Sequence, residues 1–312
     1  MSKLPVVDDP CCYGAIGPRD GVDTPAPAIG ALHVGAPGKV GVLDLGLAPI
    51  GAATRVVRHY QRLPLYCFHP LYVDPLWPEM AFVYALQAGE GVVQGDRYRI
   101  EIDCAPGAAV HFTTPAATKI FGMPSSYASQ SVNVTIGAGA FVEFLPEPVL
   151  PFRGSRYLQR TRIRVEPGAT AIFAETLLPG RVARGESHAY DLYCTDMEVH
   201  GPDGRLLAAD RLELRPSSRS VRSLGCLGPH DVLASVYVVT RESPAKLVKR
   251  LREVLAAHHD VFAGASELPN HCGVMARAFG QSSMAIARAV RAVWNAARLA
   301  VAGVQAPDVR KI

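Results

Sequence analysis

Three copies of one small unit limit what this chain can fold into. Each copy is a strand-like run, a glycine-containing turn and a second, more apolar run. In the first, Tyr98 to Asp103 (YRIEID) passes through Ala105-Pro106-Gly107-Ala108 into Val110-His111-Phe112. In the second, Ser131 to Ile136 (SVNVTI) passes through Gly137-Ala138-Gly139-Ala140 into Phe141-Val142-Glu143-Phe144. In the third, Thr161 to Glu166 (TRIRVE) passes through Glu166-Pro167-Gly168-Ala169 into Ala171-Ile172-Phe173-Ala174. The turn glycines Gly107, Gly139 and Gly168 are 32 and 29 residues apart. Ala36-Pro37-Gly38, followed by Val40, reads as an earlier, degenerate copy. A period of this size with two strands per unit predicts stacked β-layers, each burying its apolar face on the next. Glycine suits the turn if the backbone there takes positive φ, which costs any residue with a Cβ. An ordinary β-sandwich with Pro-Gly turns is the alternative.

The rest of the chain divides around these repeats. Residues 1–35 are rich in Pro, Gly and Ala and read as an irregular N-terminal arm carrying Cys11-Cys12. Residues 36–242 form a β-solenoid-like body, and residues 243–312 a C-terminal two-helix region. Strands are expected at Val40 to Leu45, Thr54 to Tyr60 and Met80 to Leu86, the last a continuous apolar run suited to a buried strand. Met197 to His200 and Leu206 to Leu214 flank Asp203-Gly204, a strong hairpin signal, and Val232 to Thr240 reads as the last long strand. Ser243-Pro244 opens a helix, with serine as the N-cap and proline in the first turn. Its apolar face holds Leu247, Leu251, Val254 and Leu255, and His258-His259 and Asp260 end it. A second helix, about Gln281 to Ala302, carries a stripe of Ile286, Val290, Val293, Trp294 and Val301, with Arg288, Arg291 and Arg298 off it. The fold class is therefore mainly β: stacked β-sheets resembling a β-solenoid or β-helix, with two C-terminal α-helices.

Composition narrows the function. A chain of 312 residues buries roughly 75% of its unfolded surface, enough for a full core. A net charge of +4, spread along the chain, does not make the concentrated basic face that nucleic acid requires. No apolar run reaches the roughly 20 residues of a membrane-spanning helix. The opening MSKLPVVDDP has acids where a signal peptide has its apolar core, so a cytoplasmic location is expected. Seven cysteines at irregular spacing, with no CxxC, make neither a disulfide framework nor a structural zinc site.

Motifs that announce catalysis are missing. The sequence has no GxxxxGKS/T, no GxGxxG after a strand, no GxSxG and no HExxH. Ser187-His188 is too local for a triad, whose members converge from distant segments. His258-His259 and His271-Cys272 lack metal-site spacing. Carboxylates remain. Glu143 and Glu175 both lie in the second strand of a repeat, so stacking could align them, and Asp96 sits in the glycine-flanked turn before the first repeat. A carboxylate among apolar residues lies at an edge, or is buried and paired. The three could form a glycosidase-type acid/base pair, line a path for a divalent cation, or make plain salt bridges to Arg153, Arg156, Arg160, Arg162 and Arg164.

Four segments, in order, resemble the urease accessory proteins of the UreD type, also called UreH. Gly91-Val92-Val93-Gln94-Gly95-Asp96 is similar to the family's GGVVGGD turn, and Thr113-Thr114-Pro115-Ala116-Ala117-Thr118-Lys119 to its TTQAATK. Phe144-Leu145-Pro146-Glu147-Pro148 with Phe152-Arg153-Gly154-Ser155 and Gln159-Arg160-Thr161 resembles its WLPxP, FxGA and QRT run. Gly180-Arg181 and Gly185-Glu186 resemble its GR and GE. Glu90, Gln94 and Pro115 depart from the pattern.

The resemblance implies the same solenoid-like body with two helices, and a non-catalytic role. Such a protein docks on the urease structural subunits and recruits the F-type accessory protein, which carries the G-type GTPase. Together they deliver nickel to the dinickel centre, with nickel in transit rather than stably bound as a cofactor. By resemblance nickel passes through a water-filled tunnel in this subunit, with Asp96, Glu175 and Glu143 as acids on the path. The C-terminal helices resemble the region that meets the F-type partner, which assigns Val290, Trp294 and Arg298 to partner binding. The alternative is a carbohydrate-active β-solenoid enzyme using the Asp/Glu group; only Trp77 and Trp294 are present for sugar stacking.

Overall fold

The computed structural model describes residues 38–240 and 243–309. The expected N-terminal arm, with Cys11-Cys12, lies outside the described residues. In chain order the strands are β1 (Val40–Ile50), β2 (Ala53–Arg62), β3 (Leu65–Cys67), β4 (Ala81–Gln87), β5 (Arg97–Cys104), β6 (Ala109–Thr113), β7 (Thr118–Ile120), β8 (Ala128–Ile136), β9 (Phe141–Phe144), β10 (Val149–Pro151), β11 (Arg156–Val165), β12 (Thr170–Leu177), β13 (Leu192–His200), β14 (Leu206–Leu214) and β15 (Val232–Val239). Helix α1 (Pro244–Ala256), strands β16 (Val261–Glu267) and β17 (Gly273–Gly280), and helix α2 (Ser283–Ala302) follow.

The strands form two facing sheets. One runs β14-β13-β11-β8-β5-β1-β2 and the other β16-β17-β15-β12-β9-β6-β4-β3. Within the repeats every neighbour is parallel: β5 with β8 and β8 with β11, then β6 with β9 and β9 with β12. Hairpin-built sandwiches pair antiparallel, whereas a chain that winds round and returns one layer higher pairs parallel. The repeats therefore form a β-solenoid of about four turns. Short strands β7 and β10 make a third side and pair parallel with each other.

The repeat turns explain their glycines. Gly107, Gly139 and Gly168 have φ of 72°, 64° and 73°, the left-handed region where a Cβ is penalised. The turns stack through backbone bonds, Gly107 N–H to Ala138 O at 3.0 Å and Gly139 N–H to Pro167 O at 3.2 Å. Inside, the repeats stack as well. Phe112, Phe144 and Phe173 form a ladder with ring centroids 5.0 and 5.3 Å apart and nearly parallel planes. Their burial contributes both area and offset-stacking energy to the core between the sheets.

Helices α1 and α2 cover the outer face of the second sheet. Leu247, Leu251 and Leu255 from α1 and Ala289, Val293 and Ala297 from α2 pack with Phe82, Ile172, Val236 and Val238. Ser243 adopts φ 41° and its hydroxyl makes no capping bond, so the expected serine cap is absent at α1. Ser282 caps α2 instead, accepting from Ala285 N–H at 3.4 Å. The expectation that Val232 to Thr240 is the last long strand is corrected. Strands β16 and β17 form a hairpin between the helices, and β17 pairs antiparallel with β15. Both are rich in small residues of low strand propensity, so their pairing with an existing sheet, not intrinsic preference, makes them strands.

Candidate functional site

A line of polar side chains crosses the inner face of the first sheet. Tyr98 on β5 pairs in register with Gln130 on β8, Gln130 with Gln159 on β11, and Gln159 with Thr195 on β13. Alternation places all four on the side that carries Ile100, Val132, Ile163 and Met197 into the core. A buried amide or hydroxyl needs partners. Gln130 Nε2 donates to Gln159 Oε1 at 3.3 Å, and Gln159 Nε2 donates across the interior to Glu175 Oε1 at 2.8 Å. Thr161 Oγ1 also reaches Glu175, at 3.4 Å.

Of these side chains Gln130, Gln159 and Glu175 line a cavity of about 190 Å³ between the sheets. Its mouth is formed by Gly89-Glu90-Gly91 and the Thr114–Lys119 loop, and its inner wall by Gln130, Gln159, Tyr193 and Glu175. Beyond Glu175 lies a second, small cavity of about 10 Å³, lined by Tyr193, Thr195, Asp210, Ser235, Tyr237 and Arg277. Glu175 and Tyr193 belong to both walls. Burial pushes the Glu175 carboxyl above its ordinary range, and the charge of Asp210 adds to this. Hydrogen bonds from Gln159, Thr161 and Thr195 pull it back. The same burial raises the phenols of Tyr157, Tyr193 and Tyr237. The arrangement offers carboxylate, amide and hydroxyl oxygens on the walls of these two cavities. Such a lining suits a partly hydrated divalent cation and lacks the soft donors that trap one. Among the described residues, no group of three or more His, Cys, Asp or Glu is gathered to hold a metal.

The three predicted carboxylates are not brought together. Asp96 is buried, and its oxygens are occupied. Lys39 N–H donates to Oδ1 at 2.7 Å, and Val93 N–H and the Tyr98 hydroxyl donate to Oδ2 at 3.0 and 2.6 Å. It clamps the glycine turn onto the start of β1 and meets the polar line only through Tyr98, which also accepts from Gln87 Nε2 at 3.0 Å. The departures in this turn are locally satisfied. Gln94 Oε1 accepts from Ser125 N–H and Ser126 N–H at 2.8 and 3.0 Å.

Glu143 lies on the other side of the second sheet. Register pairs it with His111 and with Ile172, not with Glu175, which is three residues further along β12 and faces inward. The expected alignment of Glu143 with Glu175 is therefore corrected. Beneath α2, fully buried Glu143 accepts from His111 Nδ1 at 2.7 Å and Trp294 Nε1 at 2.8 Å. Arg298 Nε is 3.6 Å away. Arg298 also pairs with buried Asp74 and lies over the Trp77 ring. Two buried carboxylates are thus matched to a guanidinium, an indole N–H and an imidazole, which is how charge is tolerated away from water.

That network also corrects the partner-binding assignment. Trp294 and Arg298 are 6% and 0% exposed and bind the chain's own sheet. Val290 is half-buried against the same core. The outward face of α2 instead carries Met284, Arg288 and Arg291, the arginines paired with Asp260 and Asp308. Nor do the arginines of the third repeat reach the three candidate acids. Arg156, Arg160, Arg162 and Arg164 pair with Asp191, Asp196, Glu198 and Glu166.

Gln130, Asp210 and Arg277 were not singled out in the sequence and Gln159 entered only within the QRT run, although a signal existed for the two glutamines. Gln130 and Gln159 share the parity of the apolar residues in their strands, which marks a polar side chain pointing into a core. Among the described residues, no helix is long and apolar enough to cross a membrane.

Comparison with known proteins agrees with the resemblance. The family described as UreD urease accessory protein matches residues 39–311. A urease accessory protein UreD 2 of Streptomyces griseus is 46% identical over 285 residues, covering 90% of this chain and 96% of the relative. A urease accessory protein UreD of Cenarchaeum symbiosum is 34% identical over 284 residues, covering 91% and 100%. One of Haloarcula marismortui is 33% identical, covering 91% and 94%. With the match spanning the whole solenoid and both helices, the chain belongs to the UreD family of urease accessory proteins.

Proposed function

We propose that this protein is a non-catalytic scaffold of urease maturation in the cytoplasm. It binds the urease structural subunits, recruits the F-type accessory protein and through it the G-type GTPase, and gives nickel a route toward the dinickel centre. The observation that carries the route is the cavity between the sheets, which runs from the Glu90–Lys119 rim to Glu175 and is lined by Gln130 and Gln159. Glu175 is the acid on this path. Asp96 supports it at one remove, by fixing Tyr98. Glu143 serves the fold. The glycosidase alternative needs two carboxyls facing each other roughly 5–10 Å apart across a cleft. Glu143 and Glu175 face opposite sides of a sheet, and no observation favours that chemistry.

The test is co-expression with the urease subunits and the F- and G-type proteins in nickel-supplied cells. Glu175→Gln keeps the shape and the Gln159 contact but removes the charge. It is expected to co-purify with its partners and to leave urease largely inactive. Full urease activation by this variant would sink the route, and failure of the unaltered protein to co-purify would sink the scaffold.

A further inference from the structure

The far wall of the interior carries an ion pair set among Leu177, Leu212 and Leu233. Arg277 on β17 reaches across to Asp210 on β14, the edge strand of the opposite sheet, and the two form a salt bridge. The Tyr237 hydroxyl donates to the same Asp210 oxygen at 2.5 Å, and Arg277 Nε donates to Ser235 Oγ at 3.1 Å. Register sets Glu175, Ser235 and Arg277 side by side on β12, β15 and β17. Arg277 therefore stands two strands beyond Glu175, with Ser235 between them, and Glu175 and Asp210 both line the small cavity. The side chains of Arg277 and Asp210 keep 29% and 25% exposure, so the pair faces the small cavity on one side and solvent on the other.

A fixed guanidinium here opposes any cation leaving Glu175 on this side, and it occupies Asp210, the other carboxylate on the wall of the small cavity. We propose that Arg277 and Asp210 form a charge-operated latch on a second mouth of the interior. This rests on the reading that a divalent cation moves through the cavity. With the interior empty, the pair holds the sheets together and the mouth is shut. A dication at Glu175 repels the guanidinium and competes for Asp210. Both effects scale with its charge, so a dication works the latch about twice as strongly as a monovalent ion at the same place. The latch thus selects for charge without a stable metal site.

The test measures urease activation against nickel concentration in the assembled system, with unfolding of each purified variant followed in parallel. Arg277→Met removes the blocking charge and is expected to lower, several-fold, the nickel needed for half-maximal activation. Asp210→Asn leaves the guanidinium in the mouth without its counter-charge and is expected to raise it. A purely structural pair moves both variants in the same direction, together with their stability, and that result overturns the latch. So does an Arg277→Met curve that overlays the unaltered protein. Glu175→Gln run alongside separates the two readings. If it activates normally, the path itself is wrong and the latch falls with it; if it is impaired while Arg277→Met changes nothing, only the latch is wrong.

Discussion

The Trp294 indole donates to Glu143 Oε1 at 2.8 Å, joining helix α2 to the middle of the second sheet across 151 residues of chain. Glu143 is fully buried and is held from both sides, by His111 on the neighbouring strand and by the helix. Trp294→Phe keeps most of the packing and deletes the donor, for a cost of about 1–3 kcal/mol. Glu143→Ala strands His111 and the Trp294 indole N–H in the interior, takes the second carboxylate away from Arg298, and costs about 3–5 kcal/mol. Urea unfolding of the purified chain gives both values. Because the two residues are in contact, the double variant is expected to cost less than the sum.

The repeats announced the solenoid, and the site inside it was only half legible. Glu143 and Glu175 were read as alike because each lies in the second strand of a repeat, without counting from the turn. Glu143 is four residues past Gly139, and the residue four past Gly168 is Ile172, the partner the structure shows; the stacked Phe144 and Phe173 keep the same register, and Glu175 falls three residues further on. An odd offset puts a side chain on the opposite face of a strand, so the spacing already separated the two acids. The burial of Arg298 had no local signal. Its partner Asp74 is 224 residues away, and an arginine off an apolar stripe ordinarily faces water. Asp96 was placed correctly in its turn. What its carboxylate does depended on Lys39, Val93 and Tyr98 converging on it, which the sequence does not display.

Two glycines of one repeat turn separate backbone strain from crowding. Gly139 has φ 64° and open space where a Cβ would stand, so Gly139→Ala costs only the left-handed penalty, about 1–2 kcal/mol. A Cβ at Gly137 would lie 2.6 Å from Pro106 N in the layer below. Gly137→Ala must therefore push stacked layers apart and is expected to cost more. Gly139→Asn should recover part of the loss, because asparagine tolerates this region, while Gly137→Asn should not. Thermal unfolding of the four variants checks the order.

Glu175 makes stability depend on pH. Its folded-state carboxyl is raised above the ordinary value of 4.5 by burial and by Asp210. A raised carboxyl binds its proton more tightly in the folded state, so its favourable contribution is present below the ordinary value. It is lost as pH rises through the raised one. Glu175→Gln has no such group. The unaltered protein is therefore expected to lose stability relative to this variant on going from about pH 4 to neutrality, with the curves parallel above the raised value. Denaturant midpoints across that range decide it, and a gap that moves in the opposite direction refutes the assignment.

Asp96 and Glu175 are expected to fail in different ways. Asp96→Ala leaves the Lys39 and Val93 amides and the Tyr98 hydroxyl without their acceptor, at about 1–3 kcal/mol for each donor that stays buried and unpaired. Its defect should be one of folding. Urease activation should fall only as far as the folded fraction falls, and should recover at lower temperature where the variant is native. Glu175 sits at the junction of two cavities and is held by side chains rather than by the backbone of a turn. Glu175→Gln should therefore be native at every temperature at which the unaltered protein is, yet fail to support activation. Measuring soluble folded protein and urease activity on the same samples distinguishes the two. A fully folded Asp96→Asn that cannot support activation would place Asp96 on the cation path itself, with its three donors giving way as the ion passes.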